Sequence, residues 1–126
     1  MSTEQELLQL TQQLLDSIAR ADWQRYQELC DPTLSAFEPE ARGQLVEGLD
    51  FHHFYFKLGG AQGVFQTTMA RPHVRVMGDA AVVSYVRLNQ RQGPNGAVTS
   101  VMEETRVWQK LNGQWKHVHF HRSAPS

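Results

Sequence analysis

The chain has 126 residues, 40% of them apolar and 20% charged, with a net charge of −1 and a pI near 6.6. That length suits one domain, residues 1–126, with one core and no need of a covalent staple. The near-neutral balance excludes the strongly basic footprint of a nucleic-acid or anionic-membrane surface, so neither is an expected partner. One cysteine, Cys30, cannot form an internal disulfide, which points to a reducing compartment. No base stands near it in the sequence, so it reads as a buried structural thiol. The N-terminus has neither the basic nor the apolar segment of a secretory signal, and no apolar run approaches the ~20 residues that span a bilayer. A cytoplasmic location is therefore expected.

The first segment reads as a helix. Thr3 and Glu6 have capping-box spacing, and Leu7, Leu10, Leu14 and Ile18 recur at helical intervals, with Leu8 and Leu15 widening the stripe. Asp22 is placed to cap a second, short helix containing Trp23, Tyr26 and Leu29, which Asp31-Pro32 ends. Leu34 to Phe37 alternates as a short strand, and Pro39 to Gly48 is irregular. Asp50 is then expected to cap an aromatic helix, Phe51-His52-His53-Phe54-Tyr55-Phe56, with Gly59, Gly60 and Gly63 marking the exit as a mobile loop.

From Val64 to Arg122 the pattern changes to strands. Gly78-Asp79, Gly93-Pro94-Asn95-Gly96 and Asn112-Gly113 are turn signals, and the segments between them are rich in Val, Thr, Tyr and Trp. This predicts a four-strand antiparallel meander of long strands, which must twist and curl. Helices followed by a curled sheet give an α+β half-cone, with the long N-terminal helix packed across the concave side.

An ideal Asn112-Gly113 hairpin sets Arg106 opposite His119, and the preceding hairpin sets Arg87 opposite Met102. Strand alternation then puts Tyr85, Arg87, Glu104, Arg106, Trp108, His117, His119 and His121 on one face. Arginines and histidines so clustered would bind an anion; alternatively Glu103, Glu104 and water neutralise them. A metal site on the three histidines is disfavoured, because the outer two lie ~13 Å apart along one strand. The acids Asp16, Asp31, Glu38 and Asp50 read as caps or surface groups rather than as a catalytic carboxyl. The Gly-rich loop, catalytic-loop and metal-binding signatures of a kinase are absent, so no phosphoryl transfer is expected.

Several stretches in order resemble one family. They are Cys30-Asp31-Pro32, Ala36-Phe37-Glu38-Pro39-Glu40-Ala41, Leu45 to His52, Phe54-Tyr55-Phe56, Pro72-His73, Met77-Gly78-Asp79, Glu103 to Trp108, and Val118 to Ser123. Together they are similar to the association, or hub, domain of calcium/calmodulin-dependent protein kinase II. The resemblance implies the cone-shaped nuclear transport factor 2-like fold, which agrees with the half-cone read from the pattern. It also implies a non-catalytic domain that associates with itself into stacked rings, with kinase-linked hub domains as further partners and no cofactor or metal. Its cavity, lined by arginines and a histidine, takes small carboxylates. Carried over by motif, these are Arg87, Arg106, Arg122 and His52.

The ideal register puts Arg122 opposite Glu103, away from Arg106, so convergence of the three arginines requires a β-bulge or strong twist in the last hairpin. The sequence departs from the family at His53, where an arginine is usual, and at Leu58-Gly59-Gly60, where animal hubs carry a tryptophan near the pocket mouth. No kinase or calmodulin-binding segment precedes the first helix, so an excised domain or a free-standing hub is expected. The competing function is a small-molecule isomerase, dehydratase or cyclase on the same cone.

Overall fold

A computed structural model describes residues 1–125. The first helix, α1 (Thr3–Arg20), starts one residue earlier than the Thr3–Glu6 spacing suggests. Ser2 is the cap: its hydroxyl accepts from the Gln5 amide at 3.1 Å, and Gln5 Oε1 accepts from the Ser2 amide at 2.9 Å. Both pairs have the same three-residue spacing, and the earlier box adds a residue to the helix. Leu7, Leu14 and Leu15 are fully buried, while Leu8, Leu10 and Ile18 pack at the core margin. The helix closes on Ala21 in the left-handed region, φ 55°.

Asp22 caps α2 (Trp23–Leu29) by accepting from the Arg25 amide at 3.2 Å. The chain then passes directly into β1 (Cys30–Phe37), a longer strand than the Leu34–Phe37 expected. Pro32 lies where the ladder between Cys30 and Ser35 is irregular, which is where a residue without an N–H is tolerated. A single 3₁₀ turn (Pro39–Ala41) and the two-residue β2 (Val46–Glu47) follow. In α3 (Asp50–Lys57) Asp50 is the first helical residue rather than its cap, and Leu49 takes the flanking position with no side-chain bond.

The meander is present as β3 (Phe65–Met77), β4 (Ala80–Gly93), β5 (Gly96–Leu111) and β6 (Gln114–Ser123). Each hairpin closes through the foreseen two-residue turn. At the last one Asn112 and Gly113 both have positive φ, 53° and 80°, as a primed turn demands. The sheet is wider than the meander. Its order is β2-β1-β6-β5-β4-β3, and β1 joins β6 in parallel, so the sheet is mixed. A parallel neighbour lies far away in sequence and leaves no turn signal, which is why pattern reading finds the Leu34–Phe37 strand but does not join it to the four-strand meander.

α1 lies against β3 and β4. Ala81, Val83, Tyr85 and Arg87 of β4 and Glu104, Arg106 and Trp108 of β5 are buried at alternate positions, which defines the inner face. Trp108 and Trp115 are buried and belong to this core. Exposed apolar side chains lie elsewhere, at Phe54, Leu58, Val64, Met77, Val98 and Val101.

Candidate functional site

The site depends on a break in the last ladder. From Leu111↔Gln114 to Trp108↔His117 the β5–β6 pairing is regular, but Val107 faces His119, leaving Val118 as an extra residue. The side-chain period of two is thereby shifted by one. His117 points inward and is fully buried, whereas His119 and His121 pair with Val107 and Thr105 and lie on the outer face. The shared face expected for the three histidines is therefore corrected. Beyond the bulge, Arg106 pairs with Phe120 and Arg122 with Glu104, so Phe120 and Arg122 turn inward.

Arg87, Arg106, Arg122 and His52 all line one cavity of about 240 Å³, together with Tyr26, Glu38, Glu40, Tyr55, Phe56, Asn89 and Phe120. β4 supplies Arg87, β5 Arg106, β6 Arg122 and α3 His52. Glu104, buried on β5, is the counter-ion of two of these arginines. Its carboxylate accepts from Arg87 Nη1 at 3.0 Å, from Arg106 Nη2 at 3.0 Å and from the Tyr85 hydroxyl at 2.6 Å. Burial alone pushes the Glu104 carboxyl up, but the Arg106 and Arg87 charges outweigh it and hold the group at about 2. Neutralisation by Glu104 thus holds for Arg87 and Arg106. Glu103 takes no part in it, since it is exposed and its neighbour Glu104 points the other way along the strand.

Arg106 is almost completely buried, and each of its three nitrogens has a polar partner. It also donates from Nε to the Tyr85 hydroxyl at 2.8 Å, and its guanidinium carbon lies 4.4 Å above the Phe120 ring. Its Nη1 is 3.5 Å from His117 Nε2. Arginine only donates, so Nε2 accepts and the His117 proton sits on Nδ1, 3.4 Å from Cys30 Sγ. Burial and the Arg106 charge push the His117 pKa well down, and burial pushes the Cys30 thiol up to about 12. Cys30 is the inert structural thiol that the sequence suggests.

The mouth of the cavity has its own carboxylates. Arg122 Nη2 is gripped by both Glu40 oxygens and lies 3.5 Å from Glu38 Oε2. Glu38 Oε1 is 2.7 Å from His52 Nε2, a close polar contact whose angles fall outside hydrogen-bond geometry. His52 is buried, between the rings of Phe51, Tyr26 and Phe120, rather than at an open edge. Its neighbour His53 stacks flat on Trp23 at 4.2 Å, outside the cavity. Glu38 and Glu40 escaped the sequence reading as site residues. The signal was the position of Glu38 one residue beyond β1, whose end pairs Phe37 with His121 and so brings it beside Arg122.

A long helix laid across a curled sheet, with a cavity between the sheet and the helices, is the nuclear transport factor 2-like architecture. A superfamily member from Salmonella enterica shares it at a TM-score of 0.77 and 26% identity, over 97% of this chain and 90% of that one. Within this class the chain belongs to the calcium/calmodulin dependent protein kinase II association domain family, whose model matches residues 3–126. It is 50% identical over 124 residues to the type II alpha chain of Drosophila melanogaster, covering 95% of this chain and 23% of the relative. The hub homology domain of Chlamydomonas reinhardtii is 49% identical with a TM-score of 0.92, covering 99% of this chain and all of the other. The association domain of the C. elegans kinase is 46% identical, TM-score 0.90, over 96% and 95% of the two chains. The chain spans about a quarter of the length of the curated relatives it matches.

Proposed function

We propose that this hub domain assembles with copies of itself, and with kinase-linked hub domains, into a closed or near-closed ring of many subunits. The carrying observation is 49% identity and a full-length match to a solved hub domain. The apolar side chains left in water support it: Phe54 is 57% exposed, Leu58 69% and Met77 51%. Apolar surface of that kind is what obligate interfaces of upwards of ~2,000 Å² bury. Multi-angle light scattering at micromolar concentration is expected to give a mass many times 14.4 kDa. A monomer or simple dimer defeats the reading.

The cavity is proposed as a site for a small carboxylate held between Arg122, Arg87 and His52. Guanidiniums are permanently charged and grip a carboxylate through paired bonds. Asn89 Oδ1 lines the same cavity, buried and without a hydrogen-bond partner among the described residues, so a ligand hydroxyl would satisfy it. Charge-assisted bonds of about 1.5–3 kcal/mol each make micromolar to millimolar affinity reasonable. Calorimetry with lactate and pyruvate checks this. Binding is expected to the wild type and to be lost in Arg122→Gln, and equal heats from the two proteins end the proposal.

The domain is proposed to be non-catalytic. A general acid on this scaffold needs a carboxyl kept protonated near neutrality. Here Glu104 and Glu40 are both held in the opposite direction by arginines. No turnover of small ketones is expected from the purified protein, and turnover by the homogeneous wild type that Glu40→Gln, at an exposed position, abolishes would revive the isomerase reading. A cytoplasmic setting goes with the reduced, buried Cys30.

A further inference from the structure

We propose that Glu40 is a tethered carboxylate that occupies the Arg122 end of the cavity and swings out when a free carboxylate binds. The inference rests on the carboxylate reading above and supplies its regulation.

Charge is the first argument. Around the cavity Arg87, Arg106 and Arg122 are matched by Glu104, Glu38 and Glu40. A fourth carboxylate entering this set outnumbers the three guanidiniums, beside side chains that are mostly buried. One of the three internal carboxylates must give way. Glu104 cannot: its side chain is 0% exposed and holds two arginines. Glu38 is anchored as well, 5% exposed and wedged between His52 and Arg122 at the end of β1. Glu40 is 38% exposed, and among the described residues its ion pair is with Arg122 alone.

The backbone carrying Glu40 is built to release it. Among the described residues the backbone of this turn bonds within its own segment, through Ala41 N–H to Glu38 O at 3.1 Å, Arg42 N–H to Pro39 O at 3.1 Å and Gln44 N–H to Ala41 O at 3.2 Å, while the Ala41 side chain packs at the core margin. Arg42 and Gly43 follow at φ 55° and 90°, two successive left-handed residues at which the segment can reorient. From Pro39 to Leu45 every residue except Ala41 is exposed. The Glu40–Arg122 pair is therefore the main polar strap between this segment and the body of the domain. The segment joins β1 to β2, and β2 is the edge of the sheet. Occupancy of the cavity would thus be reported at the outer rim of the subunit.

Because Glu40 competes for the same guanidinium, the observed affinity for a free carboxylate is the intrinsic one reduced by the fraction of molecules with Arg122 unoccupied. Glu40→Gln removes the competing charge at an exposed position, so folding is not at risk. Lactate binding by calorimetry is expected to be about tenfold tighter in Glu40→Gln. Hydrogen exchange of the assembled protein gives the second reading. The amides of Ala41, Arg42 and Gln44 should exchange faster in wild type saturated with lactate, and equally fast in Glu40→Gln without ligand. Equal lactate affinity in the two proteins, with unchanged exchange in this segment, overturns the tethered-carboxylate inference alone. Failure of lactate to bind either protein overturns the carboxylate site itself.

Discussion

Arg122 stands directly across the β5–β6 ladder from Glu104, and the unpaired Val118 is what puts it there. Without that extra residue, everything from His119 onward would change face. Deleting Val118 is therefore expected to drive Phe120 and Arg122 out of the core and His119 and His121 into it. Losing the buried Phe120 side chain alone costs about 3–5 kcal/mol. Urea denaturation should show a protein that is unfolded or barely folded, while Val118→Ala, which keeps the register, should cost no more than about 1–2 kcal/mol.

Glu104 holds two buried arginines, so its removal leaves two charges without a counter-ion. Glu104→Gln is expected to destabilise the domain by about 3–5 kcal/mol. The same loss creates an anion vacancy, and acetate in the tens of millimolar should recover part of the lost stability in the variant. Equal denaturation midpoints for Glu104→Gln and wild type would show that the arginines are compensated otherwise.

How far the sequence carried the reading depended on where each signal lay. Asn112-Gly113 gave the last hairpin, and the regular β4–β5 register set Arg87 opposite Met102 as the ideal geometry requires. The bulge at Val118 has no local signature. A valine in a strand looks the same paired or unpaired, so His119 and His121 were assigned to the wrong face while Arg122 needed the family resemblance. The parallel β1–β6 contact was equally hidden, and with it the approach of Glu38 and Glu40 to the arginines. Ser2 and Thr3 offered two capping boxes in adjacent frames, and only the folded helix chooses between Gln5 and Glu6.

Stability should fall on the acid side in two stages. His117 is buried and its pKa is pushed down, by burial first and then by Arg106. Below the ordinary value of 6.5 the unfolded chain takes up a proton that the folded chain refuses, so stability declines as pH drops from there. Glu104 has its pKa depressed from 4.5 to about 2. Its contribution is complete above 4.5 and is lost as pH falls through that window, roughly 3 kcal/mol in all. Urea midpoints measured from pH 7 to pH 3 are expected to fall throughout, and in His117→Phe the slope between pH 7 and 5 should flatten. A midpoint that rises on acidification contradicts both assignments.

The loop that leaves α3 is held against the end of α1 by a contact that only glycine permits. A Cβ on Gly60 would lie 2.8 Å from the Ala19 carbonyl oxygen and 2.8 Å from the Arg20 carbonyl carbon, both backbone atoms that cannot step aside. The next residue makes the contact worthwhile, because the Ala61 amide donates to the Ala19 carbonyl at 2.8 Å and satisfies an acceptor at the helix terminus. Gly60→Ala must push the loop away and break that bond. The cost combines a lost hydrogen bond of about 1 kcal/mol with overpacking of about 1–3 kcal/mol. Gly59→Ala is the comparison: it meets no atom but sits at φ 96°, where only backbone strain of about 1–2 kcal/mol applies. Hydrogen exchange separates the two. In Gly60→Ala the Ala61 amide is expected to lose its protection, whereas in Gly59→Ala the whole domain should weaken slightly with the Ala61 amide still protected relative to its neighbours. Full protection of Ala61 in Gly60→Ala would mean that α1 yields instead of the loop.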